Sequence, residues 1–346
     1  MVMLKTEIKS GKSKTQLSEF ELIKKFFAPL TKADTSNSDI DIGIGDDCAV
    51  FSLNDNERMA VSVDTLVAGV HFPLEASPQQ IASRAIAVSV SDLAAMGAKP
   101  LGITLALTTP DNDSEWFALF SQSLAQSLRQ YSLRLLGGDT TKGGLSVSVQ
   151  VMGTLPKDVA LTRSGAKSGD LVFVSGNLGD GAAALAAMSG GKISDDYFRD
   201  RFYRPQARIE LGEKLLTIAS AAIDISDGFL ADIGHIATAS SVSVKIECEQ
   251  LPISPAVLKI GDKMQQLQWA LTGGDDYELC FSVSPEKKNQ IKALSDSLEL
   301  PLTEIGRVEN GAGVQCIDNC GQNIAFEKSG YQHFHSEKLI KACGDL

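Results

Sequence analysis

Basic charge is in short supply in this chain. Over 346 residues, 32 Lys and Arg stand against 43 Asp and Glu, a formal net charge of −11. Nucleic-acid binding draws its affinity from Lys and Arg on phosphates, so this balance argues against non-specific binding of nucleic acid. A phosphorylated small ligand requires something to offset the chain's own acids. Long apolar runs are missing too: none reaches the roughly 18 residues that span a bilayer. The start, "MVMLKTEIKSGKSKTQ", lacks the apolar centre of a signal peptide, so the expectation is a cytoplasmic protein with no membrane partner. The six cysteines (Cys48, Cys248, Cys280, Cys316, Cys320, Cys343) are scattered, with neither zinc spacing nor a disulfide framework, and read as reduced packing residues.

What is present is an alternation of helix and strand signals. Residues 1–16 read as a disordered extension. "LSEFELIKKFFAPL" has apolar positions at helical spacing behind a cap at Ser18, and "RMAVSVDTLV" reads as a strand. "SPQQIASRAIAVSVSDLAAMGA" predicts a helix starting after Ser77 and Pro78, "LGITLALTTP" a buried strand, and "SEWFALFSQSLAQSLRQY" an amphipathic helix. "LRLLGGDT" predicts a strand running into a turn, and "LSVSVQVMGTL" alternates cleanly as a strand, closing a first domain at residues 17–155. A second domain, 156–346, opens with the turn-rich "LTRSGAKSGD". It continues through strand and helix signals in "LVFVSGNLGDGAAALAAMSG", "RPQARIELGEKLLTIA", "SAAIDISDGFLADIGHIATAS", "WALTGGDDYELCFSVS" and "ALSDSLELPLTEIGRV". Because the parallel repeat is irregular, the fold class expected is mixed α+β in two domains.

Two familiar phosphate signals fail or weaken on inspection. "GKS" at Gly11–Ser13 has Thr6 where a Walker A loop needs glycine, and no strand precedes it. "GDGAAA" at 179–184 fits a relaxed dinucleotide fingerprint, but a tight turn with close helix packing needs the same glycines. The informative pattern is acidic. Asp46 and Asp47 end "DIGIGDD", Asp64 ends "AVSVD", Asp92 ends "AIAVSVSD", and Asp139 ends "RLLGGD". Asp224 and Asp227 lie in "AAIDISDG", and Asp275 and Asp276 follow "ALTGG". Each terminates or interrupts an apolar run, where an acid is partly buried and several converging acids repel one another unless cations are present. Mg²⁺ suits such a set, because it prefers carboxylate oxygens and bridges to substrate phosphates. The alternative, that each acid is a separate turn or cap residue, stands beside it.

Seven stretches, "GIGDDCAV", "VDTLVAGVHF", "VSVSDLAAMGAKP", "LLGGDTT", "LTRSGAKSGD", "DISDGFLADIGHI" and "GGDDYELCF", resemble in order and spacing the thiamine-monophosphate kinase family. That family belongs to the ATP-binding superfamily of aminoimidazole ribonucleotide synthetase (PurM-like). The resemblance runs from about Leu17 to Tyr331. It implies a two-domain PurM-like fold, with the N-terminal ATP- and Mg²⁺-binding domains of a homodimer pairing their sheets into a barrel. It also implies ATP-dependent conversion of thiamine monophosphate to thiamine diphosphate, the last step in making that cofactor. Residue by residue, it places Mg²⁺ at Asp47, Ser62, Val63 (through its carbonyl), Asp64, Asp92, Asp139, Asp224 and Asp227. It places ATP at Gly138, Asp139, Arg163 and Ser226, and the thiamine phosphate at His71, Asp275 and Tyr331. Arg163 suits its role because guanidinium forks onto phosphate oxygens. The family usually has Glu where this chain has Asp275, one methylene shorter.

The implied nucleophile is an oxygen of the substrate's own phosphate, ionised near neutral pH, so no side-chain base or nucleophile is expected. What must be supplied is alignment and charge neutralisation in a direct in-line transfer. A sister synthetase of the superfamily, or a non-catalytic nucleotide or thiamine-phosphate binder, is the alternative. Selenophosphate synthetase needs a reactive Cys or selenocysteine near its start, whereas residues 1–40 contain no Cys. The hydrogenase factor needs Cys as its final residue, whereas Cys343 is followed by Gly344, Asp345 and Leu346.

Overall fold

The computed structural model describes residues 19–31, 40–42, 50–189, 196–326, 329–331 and 333. The expectations for residues 1–16, Ser18, Asp46 and Asp47 lie outside the described residues. The chain divides into two compact units, 1–93 with 99–157 and 94–98 with 158–346. Both mix helix with mostly antiparallel sheet, as the irregular alternation implies.

In the first unit, β1 (Ile40–Ile42) pairs with β2 (Val50–Phe51) as a small ribbon. The main sheet has the order β3 (Glu57–Val67), β6 (Ser146–Pro156), β4 (Lys99–Thr109), β5 (Arg134–Lys142), with only β4 and β5 parallel. Its helices are α1 (Glu19–Leu22), α2 (Pro78–Met96) and α3 (Ser114–Gln130). α2 starts on Pro78, whose missing N–H costs nothing at a first helical position. Ser77 and Gln80 exchange backbone N–H to side-chain bonds there, at 2.9 and 3.3 Å, the reciprocal arrangement of a capping box. Asp113 caps α3 by accepting from Glu115 N. One row of side chains, Ile103, Leu105, Leu107, Val147, Val149 and Val151, is buried. The alternate row (Val61, Val63, Gln150, Ala106) is not, so the sheet has one covered and one open face.

Two expectations are corrected. The segment after Leu22 stays helical but leaves the α form, continuing as a π-helix, Ile23–Phe27, and a 3₁₀ helix, Ala28–Thr31. Phe26 and Phe27 are thereby both turned onto Phe117, with ring centroids 6.2 and 6.1 Å away. "GGDT" is not a turn: β5 runs on to Lys142, and a Cβ at Gly138 would lie 2.1 Å from the Leu105 carbonyl oxygen. The glycine there serves close approach of two strands rather than chain reversal.

In the second unit the sheet order is β12 (Gly313–Ile317), β9 (Ser243–Glu247), β11 (Leu302–Glu309), β7 (Leu171–Ser175), β10 (Leu279–Val283), β8 (Ala221–Asp224). Only β9 and β12 are parallel. α7 (Phe229–Ser240) and α8 (Lys263–Thr272) pack Phe229, Ile233, Leu267 and Leu271 onto one face with Val172, Val174, Ile223 and Cys280. α6 (Ile209–Leu215) and α9 (Lys288–Leu298) pack Leu211, Leu215, Ile291 and Leu294 onto the other with Phe173 and Phe281, whose rings stack at 5.7 Å. Buried on both faces, "LVFVS" reads as a continuous apolar run, and each of its large side chains contributes about 1.5–3 kcal/mol. Two helices of this unit had no counterpart in the sequence reading, α5 (Asp196–Tyr203) and α8. The stretch "RPQARIELGEKLLTIA" is helical only at Ile209–Leu215.

Candidate functional site

In the first unit the structure brings together Ser62, Asp64 and Asp92. Ser62 and Asp64 are two apart on β3, so both point to the covered face, and Asp92 comes from α2. The Ser62 hydroxyl donates to Asp92 Oδ2. Burial, and then the Asp92 charge, push the Asp64 carboxyl up to about 6. A part-buried carboxylate whose ionisation is opposed by a neighbouring acid makes a place where a cation is favoured. Val63 points to the open face, 63% exposed, which leaves only its main chain near the pair.

Asp139 is not brought to that group. Its register partner is Ala106, which pairs with Ser148, which pairs with Thr65. Asp64 lies one row along, level with Val149 and Leu105, on the opposite face of the sheet. The Asp139 carboxylate is exposed and accepts from Thr141 Oγ1 at 3.1 Å. Gly138, beside it, is the close approach already described. His71 closes the turn after β3: Val67 N donates to its Nδ1 at 3.0 Å, and its carbonyl accepts from Arg84 Nε at 3.0 Å.

Asp64 and Asp92 lie inside the strand and the helix that their segments predict, whereas Asp139 lies in a strand rather than a turn. Asp224 ends its strand.

In the second unit, Asp224, Ser226, Asp227, Asp275 and Tyr331 converge on one loop. Asp224 is buried and Asp227 exposed. Asp275 N donates to Ser226 O, Tyr277 N to Ile225 O and Ile225 N to Glu278 O, at 2.9, 2.8 and 2.9 Å, so segment 275–278 prolongs the β8–β10 pairing. Tyr331 N donates to Asp227 O at 2.9 Å. Tyr331 is half exposed, its ring edge-on to His333. Asp275 and Tyr277 adopt left-handed backbone, φ 68° and 52°, and the Tyr277 hydroxyl donates to Asp275 Oδ1 at 3.0 Å. Arg163 is exposed; its loop is pinned by Ser240, whose hydroxyl takes the N–H of Gly165 and Ala166 and donates to the Arg163 carbonyl.

Beneath this loop lie Asp232 and Glu278, which the sequence pattern does not single out, and Asp276, which is among its acids. Asp232, in the first turn of α7, accepts N–H bonds from Ser226, Asp227 and Gly228, and burial with the Asp224 charge raises its carboxyl to about 7. The preference for acids in first helical turns could have found it. Asp276, fully buried, accepts from Gly179 N and Gly181 N at 2.8 and 3.0 Å. These amides of "GDGAAA", at the start of α4 (Asp180–Ser189), are therefore already occupied by a carboxylate. A Cβ at Gly181 would lie 2.4 Å from the Asp275 carbonyl oxygen, so the glycines serve packing. Glu278 is buried among Arg208, Arg201 and Ser175.

Among the described residues, no group of three or more His, Cys, Asp or Glu stands ready to hold a metal. Ser62, Asp64 and Asp92 nonetheless fit Mg²⁺, which is commonly held by one or two carboxylates with the rest of its shell from water and substrate phosphates.

Residues 45–155 match the family model described as AIR synthase related protein, N-terminal domain, and residues 167–319 that of the AIR synthase related protein, C-terminal domain. The chain is similar to the thiamine-monophosphate kinase of Haemophilus influenzae, 43% identical over 93% of this chain and 99% of that one. Among solved structures it is similar to the thiamine-monophosphate kinase of Stenotrophomonas maltophilia K279a, with 42% identity, TM-score 0.80, and 87% and 97% of the two chains covered. It is also similar to AaThiL complexed with AMPPCP and TMP, with 33% identity, TM-score 0.72, and 84% and 92% covered.

Proposed function

Because the chain belongs to the AIR synthase related family and, within it, to the thiamine-monophosphate kinases, we propose that its acidic residues serve phosphoryl transfer. The enzyme phosphorylates thiamine monophosphate to thiamine diphosphate at the expense of ATP. The observation that carries this reading is the likeness to a kinase of that activity over 93% of the chain. The relative bound to AMPPCP and TMP adds that an ATP analogue and TMP are held together by a similar chain.

The attacking group is a phosphate oxygen of the substrate, which needs no base to remove a proton. Accordingly, no side-chain nucleophile is assigned, and transfer is direct, without a phosphoenzyme. Asp47, Ser62, the Val63 carbonyl, Asp64, Asp92, Asp139, Asp224 and Asp227 are the proposed Mg²⁺ ligands. Mg²⁺ there would offset the charge of the two phosphates and align the attacking and leaving oxygens. Support for the first unit's part comes from the Asp64–Asp92 pair; Asp47 and Asp139 rest on the family pattern. Gly138, Asp139, Arg163 and Ser226 are assigned to ATP, with the Arg163 guanidinium free to swing on an exposed loop whose main chain is pinned. His71, Asp275 and Tyr331 are assigned to the thiamine phosphate. Asp275 reaches less far than Glu, and its Oδ1 is engaged by Tyr277, so the pair of side chains rather than the acid alone faces the substrate.

A homodimer is proposed through β3. Among the described residues it is an edge strand of 11 residues, and its Met59, Val61, Val63 and Val67 form an exposed apolar stripe. No helix among the described residues is long and apolar enough to cross a membrane, and the cytoplasm, where ATP is kept, is the proposed place of action. An ADP-release assay with ATP, Mg²⁺ and thiamine monophosphate tests the assignment. Saturable turnover is expected, and ATP binding without turnover would refute it. Protein label retained from γ-labelled ATP would refute direct transfer.

A further inference from the structure

Every residue assigned to the reaction in the second unit, Arg163 apart, lies on or is hydrogen-bonded to the main chain of 224–228. Ser226 O takes the Asp275 amide, and Asp227 O takes the Tyr331 amide, both at 2.9 Å. The amides of the same residues point the other way. Ser226 N, Asp227 N and Gly228 N all donate to a single oxygen, Oδ2 of Asp232, at 3.1, 3.2 and 3.1 Å. Three successive amides around one anion form the backbone nest that elsewhere receives a phosphate oxygen. Here a side chain fills it, so these amides are not available to ATP. Asp232 is itself held on α7, which is seated in the core by Phe229, Ile233 and Ile236, and its own amide is fixed on Gly228 O at 3.0 Å.

We propose that Asp232 is a positioning residue for the transfer. By fixing the amides of 226–228 it fixes the direction of their carbonyls, and through those carbonyls it sets the substrate-side residues Asp275 and Tyr331 together with the nucleotide-side residues Ser226 and Asp227. A carboxylate that touches neither ligand thus governs both. Gly228, at φ 134°, allows the bend; a Cβ there would lie 2.9 Å from the Thr272 carbonyl oxygen and 3.3 Å from Gly330 Cα. The inference rests on the functional assignment of Ser226, Asp227, Asp275 and Tyr331 made above.

The test compares Asp232→Asn, which keeps an oxygen acceptor, with Asp232→Ala, which removes it. Steady-state kinetics should show KM for ATP and KM for thiamine monophosphate both rising about tenfold or more in the Ala variant, while the Asn variant stays within about threefold of wild type. A residue that merely stabilises α7 would lower the melting temperature and leave both constants alone. Equal losses in the two variants, or wild-type constants in Ala, overturn the proposal. Hydrogen exchange on the wild-type chain gives a reading that needs no variant. The amides of 226–228 should be protected without ligands and change little when AMPPCP is added; protection that arises only with AMPPCP also overturns it. Wild-type turnover in the same assay separates the two readings: its absence refutes the kinase assignment, whereas its presence with an unaffected Ala variant refutes only the role of Asp232.

Discussion

Arg208 holds Glu278 by two parallel bonds, Nε to Oε2 at 2.6 Å and Nη2 to Oε1 at 2.5 Å, and the acid's side chain is only 1% exposed. Ser175 Oγ donates to the same Oε2 at 2.6 Å, and Arg201 stands 3.3 Å from Oε1. The fork is geometrically specific, and it anchors the strand that leaves the Asp275 turn. Arg208→Met would leave a buried acid with poorer compensation, and a loss of about 3 kcal/mol of unfolding free energy is expected. Denaturant titration checks this; an unchanged midpoint would count against it.

Asp64→Asn is expected to lower turnover on the order of 100-fold by removing a charge that holds Mg²⁺. In the metal-free protein, however, it should melt at or above the wild-type temperature, because it removes repulsion with Asp92. A variant that is both inactive and strongly destabilised would show that Asp64 is there for the fold. Asp139→Asn should abolish turnover with no change in melting, since among the described residues its carboxylate is exposed and bonded locally, to Thr141. Wild-type rates would remove Asp139 from the metal set.

The folded-state value of about 6 for Asp64 lies above its ordinary 3.8, so between those values the native protein binds more protons than the unfolded chain. Its contribution is therefore fully present below about pH 4 and is lost as pH rises through about 6. Metal-free wild type should lose stability relative to Asp64→Asn across that window. Added Mg²⁺ should raise the melting temperature more at pH 8 than at pH 5, because protons compete for the same oxygens. Melting curves with EDTA and with Mg²⁺ measure both, and a Mg²⁺ increment independent of pH would contradict the assignment.

Asp275→Asn is the cleanest probe of the substrate turn. Asn tolerates the left-handed backbone at φ 68°, so the fold should be untouched. KM for thiamine monophosphate should rise by about tenfold with KM for ATP unchanged. Asp275→Ala should add a stability loss of about 1 kcal/mol from backbone strain. Equal rises in both constants for Asn would mean that Asp275 does not face the substrate.

Val63→Glu places a charge in the middle of the exposed β3 stripe. Sedimentation should show a dimer for wild type and a monomer for the variant, with the monomer still folded. A monomeric wild type would dismiss the proposed interface.

The order of elements was legible where packing follows local periodicity: β3, α2, β4, α3, β6, β7 and α7 all lie where the apolar pattern puts them. The failures have particular causes. The glycines of "LLGGDTT" suggest a turn, whereas Gly138 is there because a facing carbonyl leaves no room for Cβ. Of the acids, the sequence pattern could mark Asp64 and Asp92 but could not tell which face of β5 Asp139 occupies, because that depends on a register shift between Ile103 and Thr104. Asp232 is hidden in the sequence for a different reason. Its partners are amides, which carry no letter in a sequence.

The pairing of β7 bears on how the second unit is made. "LVFVS" ends at Ser175, yet its two neighbours are β10, beginning at Leu279, and β11, beginning at Leu302. At about 5–20 residues per second of synthesis, roughly a hundred intervening residues leave this strand waiting for about 5–20 s. During that interval an uninterrupted apolar, β-branched segment has no partner of its own chain. The first unit's sheet, by contrast, is complete once Pro156 emerges. Yield of the enzyme in cells should therefore respond to chaperone supply and translation speed through the second half of the chain.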